Sequence, residues 1–304
     1  MQPDNITLER LARSLPAGCW RSIMNRIDEK FNQLKSEKRG GFIPFIVAGD
    51  PNLMTTKDLI LLLAKSGASI IELGVPFSDP VADGVTIQAS AERALRNRIG
   101  VKNVLETVTE VRAEGCETPI ILFSYYNPIL QFGLEKFADE AKQSGADGIL
   151  ITDLIPEEAE DFRLILAEKD LALIMLAAPT SSDERLKKIC DKASGFVYAI
   201  SRAGVTGART DLSNDAENLV KRLRQFTRLP IAVGFGISNA QQITEVCRYA
   251  NAAVIGSAIV KEIEASVESG DVIGNVRRFV ENLLPDEFAA KNFNRKGREG
   301  REGF

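Results

Sequence analysis

Eight short apolar runs, bounded by Gly, Pro, Asp or Ser and with a helix-like segment in nearly every gap between them, constrain this chain more than any other feature. They are FIPFIVAG from Phe42, SIIELGVP from Ser69, PIILFSYY from Pro119, GILITDL from Gly148, ALIMLAA from Ala172, GFVYAIS from Gly195, IAVGFGI from Ile231 and AAVIGSA from Ala252. Segments such as TTKDLILLLAKSG, EKFADEAKQSG and SSDERLKKICDKASG stand between them with helical spacing of apolar residues. Near-continuous apolar strands belong to a parallel sheet covered on both faces. Eight strand and helix units in about 220 residues fit a closed (β/α)8 TIM barrel, an α/β fold, better than an open sheet. An open dinucleotide-binding sheet would show G-x-G-x-x-G after its first strand, and VAGDPN is not that.

The 304 residues are enough for one such domain. We expect the barrel over 24–284, where NRIDEKFNQLK supplies a first helix. Residues 1–23 form an N-terminal extension and 285–304 a polar, disordered tail ending in KNFNRKGREGREGF. The Arg and Leu content of the extension loosely suggests a transit peptide, but Asp4 and Glu9 argue against one. No apolar run approaches the roughly 20 residues of a membrane helix. A net charge of -4 offers no basic face for nucleic acid, which leaves a small molecule as the expected partner. Cys19, Cys116, Cys190 and Cys247 lie far apart, as reduced thiols of a cytoplasmic protein would.

There is no histidine at all. Ser-His and Cys-His nucleophiles and His-based metal sites are therefore excluded, and acid-base work falls to carboxylates, tyrosines or lysines. Glu72 stands inside the second apolar run, where an ionised carboxylate costs several kcal/mol unless it is paired or protonated. None of the eight strand segments carries a Lys or Arg to pair with it. A pairing with a more distant cation is the ordinary alternative. Desolvation would otherwise raise its pKa and let it deliver a proton near neutral pH. Asp83, in the ADG loop that follows, is either a second functional carboxylate or a turn-forming Asp. Glycines gather after strands six, seven and eight as AGVTGA, GFGIS and IGSA, which points to a phosphate site and, more blandly, to tight corners. Without a strand lysine for an imine or histidines for a metal, phosphate-anchored acid-base chemistry by carboxylates remains.

The motifs FIPFIVAGDP, IIELGVPFSDPVADG, SYYNP, GADGILITDLIPEE, APTSSDERL, SRAGVTGAR, GFGIS and VIGSAIVK, in this order from about Met24 to Leu284, resemble the tryptophan synthase alpha chain family. The resemblance implies a TIM barrel that cleaves indole-3-glycerol phosphate to indole and glyceraldehyde 3-phosphate. It further implies that indole passes to a beta chain carrying pyridoxal phosphate, in an α2β2 assembly, with no cofactor or metal on this chain. By matching position, Glu72 is the acid/base that protonates indole C3, and Asp83 the carboxylate facing the indole N–H. Phe45, Tyr125, Tyr198 and Phe235 match aromatic positions around the indole. Gly207, Phe235, Gly236, Gly256 and Ser257 match the phosphate cradle, and Thr206 a closing lid. The family usually has Pro after ADG, whereas this chain has Val85, which frees the backbone there. A stand-alone indole-3-glycerol phosphate lyase, a non-catalytic barrel that activates a beta-type partner, and another phosphosugar barrel are the competing readings.

Overall fold

The computed structural model describes residues 25–200, 212–234, 236–285 and 288, and the side chains of all of these but 212–214. Eight parallel strands close into a barrel in chain order: β1 Gly41–Val47, β2 Ile71–Gly74, β3 Ile120–Ser124, β4 Gly148–Ile151, β5 Ala172–Ala177, β6 Val197–Ile200, β7 Ile231–Gly234 and β8 Ala252–Ile255. The last closes on the first with Phe42 opposite Ala253. All eight apolar runs contain a strand, and each strand ends one to three residues before its run does.

Twelve helices accompany the strands among the described residues. They are α1 Arg26–Ser36, α2 Leu53–Lys65, α3 Val85–Arg96, α4 Val101–Ala113, α5 Tyr126–Phe132 and α6 Leu134–Ser144. The second half adds α7 Glu160–Glu168, α8 Asp183–Lys192, α9 Leu212–Leu223, α10 Ala240–Cys247, α11 Ser257–Val267 and α12 Val272–Leu283. Among the described residues no helix is long and apolar enough to cross a membrane.

Two apolar layers result from the two-residue period of the strands. Ile43, Ile70, Ile121, Leu150, Ile174, Phe196, Ala232 and Val254 fill the barrel interior. Their sequence neighbours Phe42, Ile71, Ile120, Ile149, Leu173 and Val197 face the helices. Helix α1 plugs the N-terminal mouth. Asn25 caps it by accepting from the Ile27 and Asp28 N–H groups, and Ile27, Phe31 and Leu34 join the interior layer. At that same mouth Asp147, only 4% exposed, is fully employed. Arg112 Nη2 donates to its Oδ2 at 2.7 Å, Arg26 Nη1 to its Oδ1 at 3.0 Å, and the Ile120 N–H to Oδ2 at 2.8 Å. That network ties β3, β4, α1 and α4 together at the end of the barrel associated with stability.

The N-terminal extension and most of the tail lie outside the described residues. Phe288, four residues into the segment expected as tail, is buried with the outer layer, and its ring comes close to Gly40.

Candidate active site

Glu72 follows Ile70 by two residues on β2, so the pleat turns its side chain into the barrel near the C-terminal mouth. The register sets it beside Phe45 of β1 and Ile121 of β3. It is 1% exposed, and neither carboxylate oxygen has a hydrogen-bond partner among the described residues. Burial pushes its pKa up from 4.5 to about 8. The contrast with the other two buried carboxylates is decisive. Asp147 is held as above, and Asp50, at the end of the β1 loop, accepts Arg93 Nε and Nη2, each at 2.8 Å, and the Ser90 hydroxyl. Burial at those two positions is compensated, whereas burial without a partner favours the neutral acid at Glu72 near pH 7.

Asp83 lies in the loop between β2 and α3, where its N–H donates to the Pro80 carbonyl at 3.0 Å and closes a turn. The turn-forming and functional alternatives prove compatible, because its carboxylate remains available. Tyr125, the N-cap of α5, donates from Oη to Asp83 Oδ2 at 3.1 Å and accepts from the Ala82 N–H at 2.9 Å. Burial raises the Asp83 pKa from 3.8 to about 6, with the Tyr125 bond pulling the other way. Tyr198 of β6 is 4% exposed, and its phenol is pushed well above its ordinary value by burial and then by the charges of Glu72 and Asp83. The three groups therefore share one electrostatic environment. Tyr198 reaches across to β7, where a Cβ on Gly234 would lie 2.0 Å from its hydroxyl. Only glycine fits there.

A shallow recess opens beside Asp83 and is lined by rings: Phe45, Phe77, Phe123 and Tyr125, with Ile87 of α3 at its side. Phe45 meets Phe123 edge-on, with centroids 5.1 Å apart, and Phe77 lies 5.2 Å from Tyr125. Phe45 and Tyr125 are the two rings expected from the sequence, and Phe123 joins them, two residues before Tyr125 and so on its face. Phe77 sits in a loop, where no periodicity points to it.

Gly236, Gly256 and Ser257 stand at the C-terminal ends of β7 and β8. Gly236 has φ +85°, and Gly256 is the N-cap of α11, whose first residue is Ser257. The N-terminal amides of an eleven-residue helix, a hydroxyl and an unobstructed glycine suit a phosphate group. Thr206, Gly207 and Phe235 lie outside the described residues.

With this geometry in view, similarity to known proteins becomes specific. The family model described as tryptophan synthase alpha chain matches residues 31–284. A tryptophan synthase alpha chain of Geobacter sulfurreducens is 48% identical over 241 residues, which are 79% of this chain and 91% of that one. One from a Thermoanaerobacter species is 43% identical over 263 residues, 86% and 98% of the two chains. Among solved structures, tryptophan synthase subunit alpha from Legionella pneumophila superposes with a TM-score of 0.79 at 35% identity, covering 86% of this chain and 97% of that one. A chain from the tryptophan synthase complex of Pyrococcus furiosus gives 0.73 at 40% identity, covering 81% and 98%. A match over most of the barrel, at such identity and with the same architecture, has one meaning: this chain belongs to the tryptophan synthase alpha chain family.

Proposed function

We propose that the recess and the strand ends around it carry the family's reaction, the carbon-carbon lyase step that cleaves indole-3-glycerol phosphate in tryptophan biosynthesis, with Glu72 and Asp83 as its catalytic residues. The observation that carries this assignment is Glu72, the one buried carboxylate among the described residues with no partner, held neutral near pH 7 at the catalytic end of the barrel. Glu72 delivers its proton to indole C3 and the ring nitrogen becomes cationic. The Asp83 carboxylate, ionised above about pH 6, accepts from the N–H and stabilises that charge. The glycerol hydroxyl on the carbon attached to C3 then loses its proton to the Glu72 carboxylate. The carbon-carbon bond breaks, its electron pair returns to the ring, and the carbinol carbon becomes the aldehyde of glyceraldehyde 3-phosphate. Glu72 ends as it began, and no net proton is consumed.

The ring-lined recess suits a flat indole, with Phe45, Phe77, Phe123 and Tyr125 in its wall, while Tyr198 and Glu72 stand in the barrel interior outside that wall. Gly236, Gly256 and Ser257 suit the phosphate, and Gly207, Phe235 and the Thr206 lid loop complete the cradle in this reading. The chain itself needs neither metal nor cofactor for these steps.

A beta chain is the partner in this reading, in an α2β2 assembly with pyridoxal phosphate on the beta side. Exposed apolar side chains favour it. Of the six large apolar side chains exposed among the described residues, Met54, Val81, Val85, Leu130 and Ile155 follow the C-terminal ends of β1 to β4, the first three exposed by 72% to 82%, and the sixth, Val267, ends α11. Apolar exposure gathered on one side of the catalytic mouth suits a protein surface into which indole is handed. The family's biosynthetic role and the free thiols of Cys116 and Cys190 suit the cytoplasm.

The test is indole release from indole-3-glycerol phosphate by the full chain, alone and with a tryptophan synthase beta chain, beside Glu72→Gln and Asp83→Asn. We expect weak activity alone, a rise with the beta chain, and a loss of at least about 10² in each variant. High activity alone would support the stand-alone lyase. Full turnover by Glu72→Gln would refute the assignment.

A further inference from the structure

Asp83 must hold its carboxylate against a charge that exists only during the reaction, and small displacements of such a group are costly. Tyr125 fixes the carboxylate through Oδ2 and the preceding amide through Ala82. The carbonyl side of the loop is held from another direction. Gln88, in the second turn of α3, turns its amide back over the helix start, and Nε2 donates to the Asp83 carbonyl at 2.9 Å and, more weakly, to the Pro80 carbonyl at 3.4 Å. Pro80 and Asp83 are the two ends of the loop turn, so one amide closes both.

The start of α3 has no side-chain cap, a state it shares with α4, α5, α6, α7 and α11. Its N-cap, Gly84, makes no side-chain cap bond, whereas Asn25, Asn52, Ser182, Asn239 and Asp271 cap their helices through side chains. The body of α3 is anchored. Arg93 makes its two-pronged bond to buried Asp50 and reaches Glu264 of α11 at 2.7 Å, while Ser90 also meets Asp50 and Asn97 Nδ2 donates to the Pro51 carbonyl at 2.7 Å. Gln88 thus projects from a fixed bar onto a loop that lacks its own cap.

We propose that Gln88 is a positioning residue for Asp83, clamping the backbone of its loop to α3 so that the carboxylate meets the substrate in one geometry. Gln88 touches no reacting atom, and the inference rests on Asp83 being catalytic. It acts on the chemical step more than on substrate affinity, because the phosphate and the aromatic recess supply binding.

The experiment compares kcat and KM for indole-3-glycerol phosphate cleavage by the full chain with Gln88→Met, Gln88→Lys and Asp83→Asn, with a melting curve for each. Met keeps length and helix propensity without a donor, and Lys restores a donor of at least equal reach. We expect Gln88→Met to lower kcat about 3- to 10-fold with KM within about twofold and a melting temperature within about three degrees, and Gln88→Lys to recover most of kcat. Unchanged kcat in Gln88→Met, a loss confined to KM, or no recovery with Lys would overturn the clamp. Full turnover by Asp83→Asn would instead overturn the assignment of Asp83, whatever the Gln88 variants do.

Discussion

Replacing Glu72 with Gln should stabilise the fold at alkaline pH while abolishing turnover, and the size of the gain follows from the structure. Glu72 is buried without a partner, and its pKa rises from 4.5 to about 8. Between those values the native state keeps a proton that the unfolded chain has released. Stability of the parent therefore falls as pH rises through this window, with no cost below about pH 4.5 and the full cost above about pH 8. At about 1.4 kcal/mol per pH unit, the displacement sets a ceiling of roughly 5 kcal/mol. Relaxation and water entry reduce it, so growth of about 2–4 kcal/mol between pH 5 and pH 9 is the expected outcome. Urea unfolding of both proteins at pH 5, 7 and 9 measures it. Titrations that do not interact with Glu72 cancel in their difference, Tyr198 keeps its proton across this range because burial raises its pKa well above the ordinary value, and the buried amide of Gln adds a constant. A difference between variant and parent that stays flat across this range within about 0.5 kcal/mol would refute the neutral, unpartnered Glu72.

Two further outcomes test other parts of the structure. Val85 is the first residue of α3, where proline is favoured, and Gly84 before it has φ -74° and ψ 161°, as a residue preceding proline requires. Val85→Pro should stabilise by about 0.4–1 kcal/mol and raise the melting temperature by one to three degrees or so without reducing turnover; a lower melting temperature would show that this loop start is not as described. Phe288 is 2% exposed, so Phe288→Ala should cost about 2 kcal/mol or more and removal of the chain after Leu284 a similar amount, seen as a fall of several degrees in calorimetry. An unchanged melting temperature would assign Phe288 to a dispensable tail.

Much of the fold was legible because a parallel barrel writes its strands as uninterrupted apolar runs. Ala172–Ala177 and Ile231–Gly234 could hardly be anything else once turn residues bounded them. Glu72 was legible for the opposite reason, as a carboxylate that folding alone does not favour in such a run. Asp83 was ambiguous in sequence because ADG serves a turn equally well, and the Tyr125 hydroxyl that singles it out comes from 42 residues away. Phe123 was readable from its two-residue spacing to Tyr125. Gln88 was not, since an exposed Gln on a helix has no sequence mark that distinguishes a solvent contact from a bond back to a loop carbonyl. The boundary expected at Leu284 follows polarity and glycine content, and three scattered phenylalanines, Phe288, Phe293 and Phe304, carry no periodicity that would mark Phe288 as buried.

The pH dependence of kcat/KM for indole release bears most directly on the two carboxylates acting together. Asp83 must be ionised and Glu72 protonated in the free enzyme, so the profile should be bell-shaped, rising near pH 6, falling near pH 8 and highest about pH 7. A profile that stays flat through pH 8, or that falls already above about pH 4.5, would contradict a neutral Glu72 as the proton donor.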